Sequence, residues 1–97
     1  MRLRYTRSAL ADLDAILAFI SARSPIGAER VQARIKAVTD LLLHHPRIGT
    51  RTEDPAIRRM TTSPYPYLIF YELAELEIIV HTVRHGARDP SGAPELA

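Results

Sequence analysis

Hydrophobic positions alternate at the start of the chain, recur at helical spacing through its first half, and alternate again in its second half. Charged and apolar residues alternate over residues 2–5, which predicts a short first strand. Apolar residues then recur every three or four positions, which predicts a helix with one buried face. They are Leu10, Leu13, Leu17 and Ile20. Thr6 or Ser8 can cap this helix, because a side-chain oxygen accepts from the unpaired N–H groups of the first turn.

A second helix is predicted after the break at residues 24–27. Ser24 suits its N-cap and Pro25 suits its first turn. Its apolar stripe consists of Val31, Ile35, Val38 and Leu42. The helix is expected to end before Pro46, because the residue that precedes a proline disfavours the α conformation. Two amphipathic helices joined by a short break predict a helical hairpin whose apolar face is buried on another element.

Three segments in the second half predict strands, at residues 57–62, 67–73 and 77–83. The last two are rich in Ile, Val, Tyr and Phe and are only three residues apart, which is typical of a β-hairpin. Residues 46–55 are expected to form a loop. The element order β-α-α-β-β-β therefore predicts an α+β fold in which the helical hairpin packs on a sheet. Arg84, His85 and Arg88 directly follow the last predicted strand as a basic cluster.

Length and composition indicate one domain. The chain has 97 residues, of which 46% are apolar, so we expect one core over residues 1–89 and a flexible tail over residues 90–97. It contains no cysteine, which excludes disulfides, thiol nucleophiles and thiolate metal sites. No apolar stretch approaches the ~20 residues of a membrane-spanning helix, and the first residues do not resemble a secretory signal. We therefore expect a cytoplasmic protein.

Arginine dominates the basic residues, since Lys36 is the only lysine among 13 basic side chains. Arginine suits bidentate contacts to carboxylate and phosphate groups. The net charge of +2 is nevertheless too small to indicate extensive nucleic-acid binding. Arg58 and Arg59 are adjacent on a predicted strand and should lie on opposite faces, one of them paired with an acid such as Glu72 or Glu77.

The histidines do not form a metal-binding pattern. His81 and His85 are four residues apart on a strand and are expected on the same face, whereas His44 and His45 lie at the end of the second helix. His85 is the better candidate for proton transfer, because two arginines beside it can stabilise a phosphate. The alternative is that His85 has no chemical role and only packs at the edge of the sheet.

From Ser8 to Asp89 the chain resembles toxins of the RelE/ParE superfamily, from bacterial type II toxin–antitoxin modules. The resemblance rests on segments that occur in order: SALADLDAILAFI, PIGA with the apolar stripe after it, HHPRIGTR, IRRMTTSPYPYLIFYEL and IIVHTVRHGARDP. The implied fold is a small, mostly antiparallel sheet with the helical hairpin on one face. This agrees with the element order predicted above.

The superfamily contains two activities: RelE-like members cleave messenger RNA in the ribosome, and ParE-like members poison DNA gyrase. RNA-cleaving members resemble one another in an arginine after the tyrosine that opens the third strand, an arginine after the last strand, and a tyrosine or histidine in the tail. Here Leu68 follows Tyr67, Arg88 matches the second arginine, and the tail has neither tyrosine nor histidine. The segment PYLIFYEL is closer to ParE-like members.

The resemblance therefore implies a ParE-like toxin that binds DNA gyrase and uses no cofactor or metal. A cognate antitoxin is expected to neutralise it in a heterotetramer. That antitoxin should be a DNA-binding dimer, so that the toxin meets operator DNA only through it. Its C-terminal amphipathic segment should enter a groove between the helical hairpin and the sheet edge. The residues expected to bind antitoxin or target are Arg58, Arg59, Arg84 and Arg88.

Two alternatives stay open. One is a RelE-like ribosome-dependent endoribonuclease with Arg58, Arg88 and His85 as catalytic residues. Attack by a 2′-hydroxyl needs one proton removed and another supplied, and at this site only His85 is of a residue type that commonly transfers protons. The lack of a second proton-transfer group favours a toxin that is not an enzyme. The other alternative is a non-toxic partner or regulator on the same fold.

Overall fold

The computed structural model describes residues 1–86, and it contains two helices and five strands. The elements are β1 (Arg2–Tyr5), α1 (Arg7–Ser21), α2 (Pro25–His44), β2 (Thr50–Arg51), β3 (Ile57–Thr62), β4 (Tyr65–Leu73) and β5 (Glu77–His85). The strand order is β1-β5-β4-β3-β2, with β1 parallel to β5 and every other pair antiparallel. The predicted α+β fold is confirmed. The two-residue strand β2 was missed, and Arg88 and the predicted tail lie outside the described residues.

The helices begin where their capping residues predict. Of the two possible caps for α1 the structure uses Thr6, whose hydroxyl accepts the N–H of Ala9 at 3.0 Å. The Ser24 hydroxyl accepts the N–H of Gly27 at 2.9 Å, and Pro25 opens α2. These bonds satisfy donors that have no partner within the helix. α2 ends at His44, two residues before Pro46, as predicted.

The core lies between α2 and one face of the sheet, which we call the inner face. The predicted stripe on α2 is buried, and the sheet residues packed against it are Tyr67, Ile69 and Tyr71 of β4 and Ile78, Val80 and Val83 of β5. α1 buries only Ala9 completely, and Leu13, Ile16, Leu17 and Ile20 are half-buried at the border of the core. Leu10, which was predicted on the buried face, is exposed, as is Phe19. Removal of the buried apolar surface from water is the main force that holds the hairpin on the sheet.

A β-bulge interrupts the pairing of β4 with β5. Tyr71 lies opposite Val80, whereas Phe70 lies opposite Thr82, which leaves His81 as an extra residue on β5. An extra residue shifts the alternation of side chains between the two faces. Every side chain after the bulge therefore lies on the face opposite to the one that simple alternation assigns.

The bulge makes the expectation for the two C-terminal histidines wrong. Nε2 of His81 lies 2.8 Å from the Glu72 carboxylate on the face away from the helices, which we call the outer face. The ring of His85 meets the edge of the inner-face residue Tyr67, with the ring centroids 5.5 Å apart. The two imidazoles therefore lie on opposite faces. β5 also runs to His85, so this residue and Arg84 belong to the strand and do not follow it.

Candidate functional site

The outer face carries a cluster of two arginines around an aromatic ring, on the three central strands. By register, Arg59 of β3 lies opposite Phe70 of β4, and Arg84 of β5 lies opposite Leu68. The guanidinium carbon of Arg84 is 5.6 Å from the centroid of the Phe70 ring, within the range of a cation–π contact. We call Arg59, Phe70 and Arg84 the outer-face cluster. Arg84 is exposed and Phe70 is half-buried, whereas Arg59 is only 8% exposed, so the cluster presents mainly the charge of Arg84 beside an aromatic ring.

An ion pair and a histidine–carboxylate contact lie on the same face as this cluster. Nε of Arg4 donates to the Glu77 carboxylate at 2.8 Å, and His81 contacts Glu72. Glu72 and Glu77 are the acids that were predicted as partners for Arg58 or Arg59. Arg58 lies on the inner side of the sheet, and its guanidinium donates to backbone carbonyls instead.

Arg58 and Tyr71 hold the loop that joins α2 to β2. The Tyr71 hydroxyl donates to the Pro46 carbonyl at 2.7 Å and accepts the N–H of Gly49 at 3.0 Å. Nη1 of Arg58 donates to the carbonyls of Arg47 at 3.1 Å and of Gly49 at 2.9 Å. Burial raises the pKa of Tyr71 above its usual value, although the Gly49 N–H and the charge of Arg58 oppose this. We call residues 46–49 the pinned loop.

Glycine at position 49 lets the pinned loop approach the sheet closely. A β-carbon added to Gly49 would lie 2.5 Å from the Tyr71 hydroxyl oxygen and 3.0 Å from the carbonyl oxygen of Arg59. Neither neighbour can move easily, because Tyr71 is fully buried and the carbonyl belongs to a strand. The loop therefore keeps this position only with glycine there.

Asp12 of α1 secures the edge of β5 beyond the end of β1. β1 pairs with β5 only as far as Val80, and the N–H of Thr6 donates to the Val80 carbonyl at 3.0 Å. Past that point, Oδ2 of Asp12 accepts the Thr82 hydroxyl at 2.7 Å and the N–H of Val83 at 3.1 Å. A strand edge with no neighbouring strand otherwise leaves such donors unpaired. The carboxylate of Asp12 thereby stabilises β5 just after the bulge.

Asp12 also lines an open cleft of about 290 Å³ between α1 and the end of β5, together with Ile16, Val83, Arg84 and His85. A larger groove of about 570 Å³ lies between the two helices and β1, where Tyr5, Leu13 and Lys36 are among the lining residues. A groove between the hairpin and the sheet edge was predicted. Of the predicted arginines within residues 1–86, Arg84 lines the smaller cleft, and none lines the larger groove.

The predicted site residues fall into two separate regions. Arg59 and Arg84 come together around Phe70 on the outer face. Arg58 lies opposite Tyr71 and His85 lies opposite Tyr67, both on the inner side. Four residues of a strand separate these two positions along β4, or about 13 Å. Arg88, the third residue of the predicted catalytic set, lies outside the described residues.

The described part of the chain offers no metal site and no membrane span. Within residues 1–86, no three side chains among His, Asp and Glu lie together in a way that could hold a metal ion. Neither helix in that range is long and apolar enough to cross a membrane.

The sequence matches one family model over residues 3–90, described as "ParE toxin of type II toxin-antitoxin system, parDE". "Toxin RelE2" of Caulobacter vibrioides is 37% identical to the chain over 84 residues, which cover 87% of this chain and 93% of that protein. "Putative toxin Y4kP" of Sinorhizobium fredii is 34% identical over 84 residues, which cover 87% and 86% respectively.

A solved structure has a similar fold. It is described as "Chromosomal ParDE TA system from P. aeruginosa", and one of its chains superposes on this one with a TM-score of 0.76. The match covers 88% of this chain and 95% of that chain, at 26% sequence identity.

Proposed function

The chain belongs to the ParE toxin family of type II toxin–antitoxin systems, and we propose that it inhibits growth by binding DNA gyrase without catalysing a reaction. The observation that carries this proposal is the separation of Arg58 from His85, together with the use of Arg58 to hold the pinned loop. A nuclease would need its phosphate-binding and proton-transferring groups within reach of one phosphodiester. A binding protein needs only an exposed surface of fixed shape and charge.

Direct binding of a cognate antitoxin is proposed to neutralise the toxin. The similar solved structure is described as a ParDE system, which supports such a partner. We assign acidic side chains of the antitoxin to Arg84, because its exposed guanidinium lies beside the Phe70 ring and offers charge and apolar surface side by side. Arg59 is buried behind this surface. We assign the C-terminal amphipathic segment of the antitoxin to the groove of about 570 Å³ between the two helices and β1. The assembly is proposed to be a heterotetramer that contacts operator DNA only through the antitoxin dimer.

The test of the target is a supercoiling and DNA-cleavage assay with purified bacterial gyrase, run with and without ATP. The proposal expects inhibited supercoiling and accumulated cleaved DNA, both reversed by the antitoxin encoded beside the toxin gene. If gyrase keeps its full activity at a large excess of toxin, the proposal that gyrase is the target is wrong.

The test of the antitoxin surface is a comparison of single variants by calorimetry. Arg84→Ala should weaken antitoxin binding by roughly tenfold or more, as expected for a charged pair that becomes buried in an interface. Arg34→Ala removes an exposed arginine from α2 and is the matched control. Equal affinities for the two variants would remove the outer-face cluster from the antitoxin interface.

A ribosome-dependent endoribonuclease is the second candidate, because one observation favours it. His81 and Glu72 form a pair on the outer face, and Glu72 lies two residues along β4 from Phe70, which is opposite Arg59. A carboxylate that orients an imidazole is a common arrangement for proton transfer, and arginines nearby can stabilise a phosphate. This candidate predicts cleaved messenger RNA on ribosomes treated with the toxin, and loss of that cleavage in His81→Ala.

A non-toxic partner or regulator on the same fold is the third option. It predicts that the wild-type chain, expressed without its antitoxin, leaves growth unchanged. The first two candidates both predict growth arrest, so this experiment separates the third option from them.

A further inference from the structure

The pinned loop has features of a binding surface that the outer-face cluster does not explain. It has no regular secondary structure, yet two sheet residues supply it with four hydrogen bonds. A fifth bond, from the N–H of Ile48 to the His45 carbonyl at 3.1 Å, closes the turn at its start. A loop fixed in this way loses little conformational entropy when a partner binds.

The loop exposes an apolar side chain between positive charges. Ile48 is 49% exposed, although the backbone around it is held tightly. Arg47 precedes it and Arg51 follows three residues later, and both are exposed. An open cleft of about 420 Å³ adjoins Ile48 and is lined by His44 and His45 as well.

Within residues 1–86, no acidic side chain forms an ion pair with Arg47 or Arg51. Glu53 and Asp54 lie further along the same connection, beyond β2. Asp54 is committed to its own turn, where Oδ1 accepts the N–H of Ala56 at 2.9 Å. The surface next to Ile48 is therefore cationic with an apolar centre. It complements an acidic protein segment that contributes an apolar side chain, whereas a nucleic-acid backbone would gain nothing from an exposed isoleucine.

We propose that the pinned loop, with Ile48 between Arg47 and Arg51, is the surface that binds an acidic, apolar segment of the cellular target. This inference rests on the proposed function, in which the toxin acts by binding. The loop is held from the inner side of the sheet, and the outer-face cluster lies on the opposite face. Substitutions in the loop and in the cluster therefore test target inhibition and antitoxin binding separately.

Three variants test the assignment in a growth-arrest assay with inducible expression, in the gyrase assay, and in antitoxin calorimetry. Ile48→Asp and Arg47→Glu change the loop. Leu76→Asp is the matched control, because Leu76 is 75% exposed in the turn between β4 and β5. Circular dichroism and thermal melts establish that each variant is folded.

The proposal expects growth arrest and gyrase inhibition to weaken at least tenfold in Ile48→Asp and Arg47→Glu, while antitoxin affinity changes less than twofold. Arg47→Lys should restore part of the activity, and Leu76→Asp should match the wild type. Unchanged inhibition in both loop variants would overturn the proposal, and so would a loss of antitoxin binding in place of target inhibition. A wild-type chain that arrests growth without inhibiting gyrase would show only that gyrase is not the target. The growth assay of the loop variants would then still test whether the loop binds the target. A wild-type chain inert in both assays would overturn the proposed function and this surface with it.

Discussion

Replacing Asp12 with alanine is expected to lower the free energy of unfolding by about 2–3 kcal/mol. One carboxylate oxygen of Asp12 accepts the Thr82 hydroxyl at 2.7 Å and the N–H of Val83 at 3.1 Å. A hydrogen bond to a charged group contributes about 1.5–3 kcal/mol net, and we assign about 2–3 kcal/mol to the two bonds together because Asp12 is only half-buried. Unfolding entropies of about 2.1 cal/mol/K per residue convert this loss to a melting temperature about 10–15 °C lower for a chain of this length.

Thermal melts of Asp12→Ala, Asp12→Asn and Asp14→Ala test this reasoning. Asparagine keeps the shape and one acceptor oxygen but loses the charge, so its cost should be about half that of alanine. Asp14 is exposed on the same helix, and its replacement should change stability by less than about 0.5 kcal/mol. Exchange of the Val83 amide hydrogen should accelerate in Asp12→Ala alone. A melting temperature for Asp12→Ala equal to that of Asp14→Ala would refute the claim that this carboxylate holds β5.

Three other predictions concern the pinned loop, the tyrosines and the histidines. Gly49→Ala should lower the free energy of unfolding by about 2–4 kcal/mol in chemical denaturation, because its β-carbon would collide with the Tyr71 hydroxyl and break the hydrogen bonds there. Gly86→Ala is the control and should be nearly neutral, because its β-carbon would have no contact closer than 3.4 Å. Equal costs for the two variants would contradict the packing argument. Burial raises the pKa of both Tyr5 and Tyr71. Their contribution to stability is therefore complete below about pH 10 and falls as the pH rises through the higher folded-state pKa values. Tyr5→Phe and Tyr71→Phe should reduce this alkaline loss of stability in denaturation curves, and an unchanged dependence of stability on pH would contradict the prediction. His81→Ala and His85→Ala should both retain growth arrest if the toxin acts by binding, and loss of arrest in His81→Ala with intact antitoxin binding would favour the nuclease.

Periodicity and capping chemistry were sufficient to predict both helices and the three long strands. The stripe from Val31 to Leu42 recurs at helical spacing, and Ser24-Pro25 satisfies the unpaired donors that begin a helix. These signals are local, so a single sequence carries them completely. β2 was missed because two residues give no alternation to detect, and Thr50 and Arg51 become a strand only by pairing with β3.

Simple alternation does not predict the bulge at His81, and it therefore assigns the residues after the bulge to the wrong face of the sheet. Strict alternation places His81, Val83 and His85 on one face, whereas Val83 belongs to the core with Val80. The spacing of two and then three among the buried residues Ile78, Val80 and Val83 is the signal that would have located the extra residue. Asp12 gave no comparable signal, because its partners lie 70 and 71 residues away in the chain.

The roles of the arginines could not be assigned from sequence, because adjacent residues on a strand have different surroundings on its two faces. Arg58 and Arg59 were expected on opposite faces, and the register places them there. No local pattern indicates that Arg58 donates to the carbonyls of Arg47 and Gly49. That contact depends on the loop folding back over Tyr71, which is a tertiary arrangement.

The most direct test of the central claim is a titration of purified toxin against a fixed concentration of gyrase, with ribosome-bound messenger RNA assayed in parallel. Inhibition by binding predicts that supercoiling falls in proportion to added toxin and saturates at a fixed ratio of toxin to gyrase, while the messenger RNA stays intact. Unaffected gyrase, together with messenger RNA cleaved at toxin concentrations far below that of the ribosomes, would contradict the account and establish an enzyme.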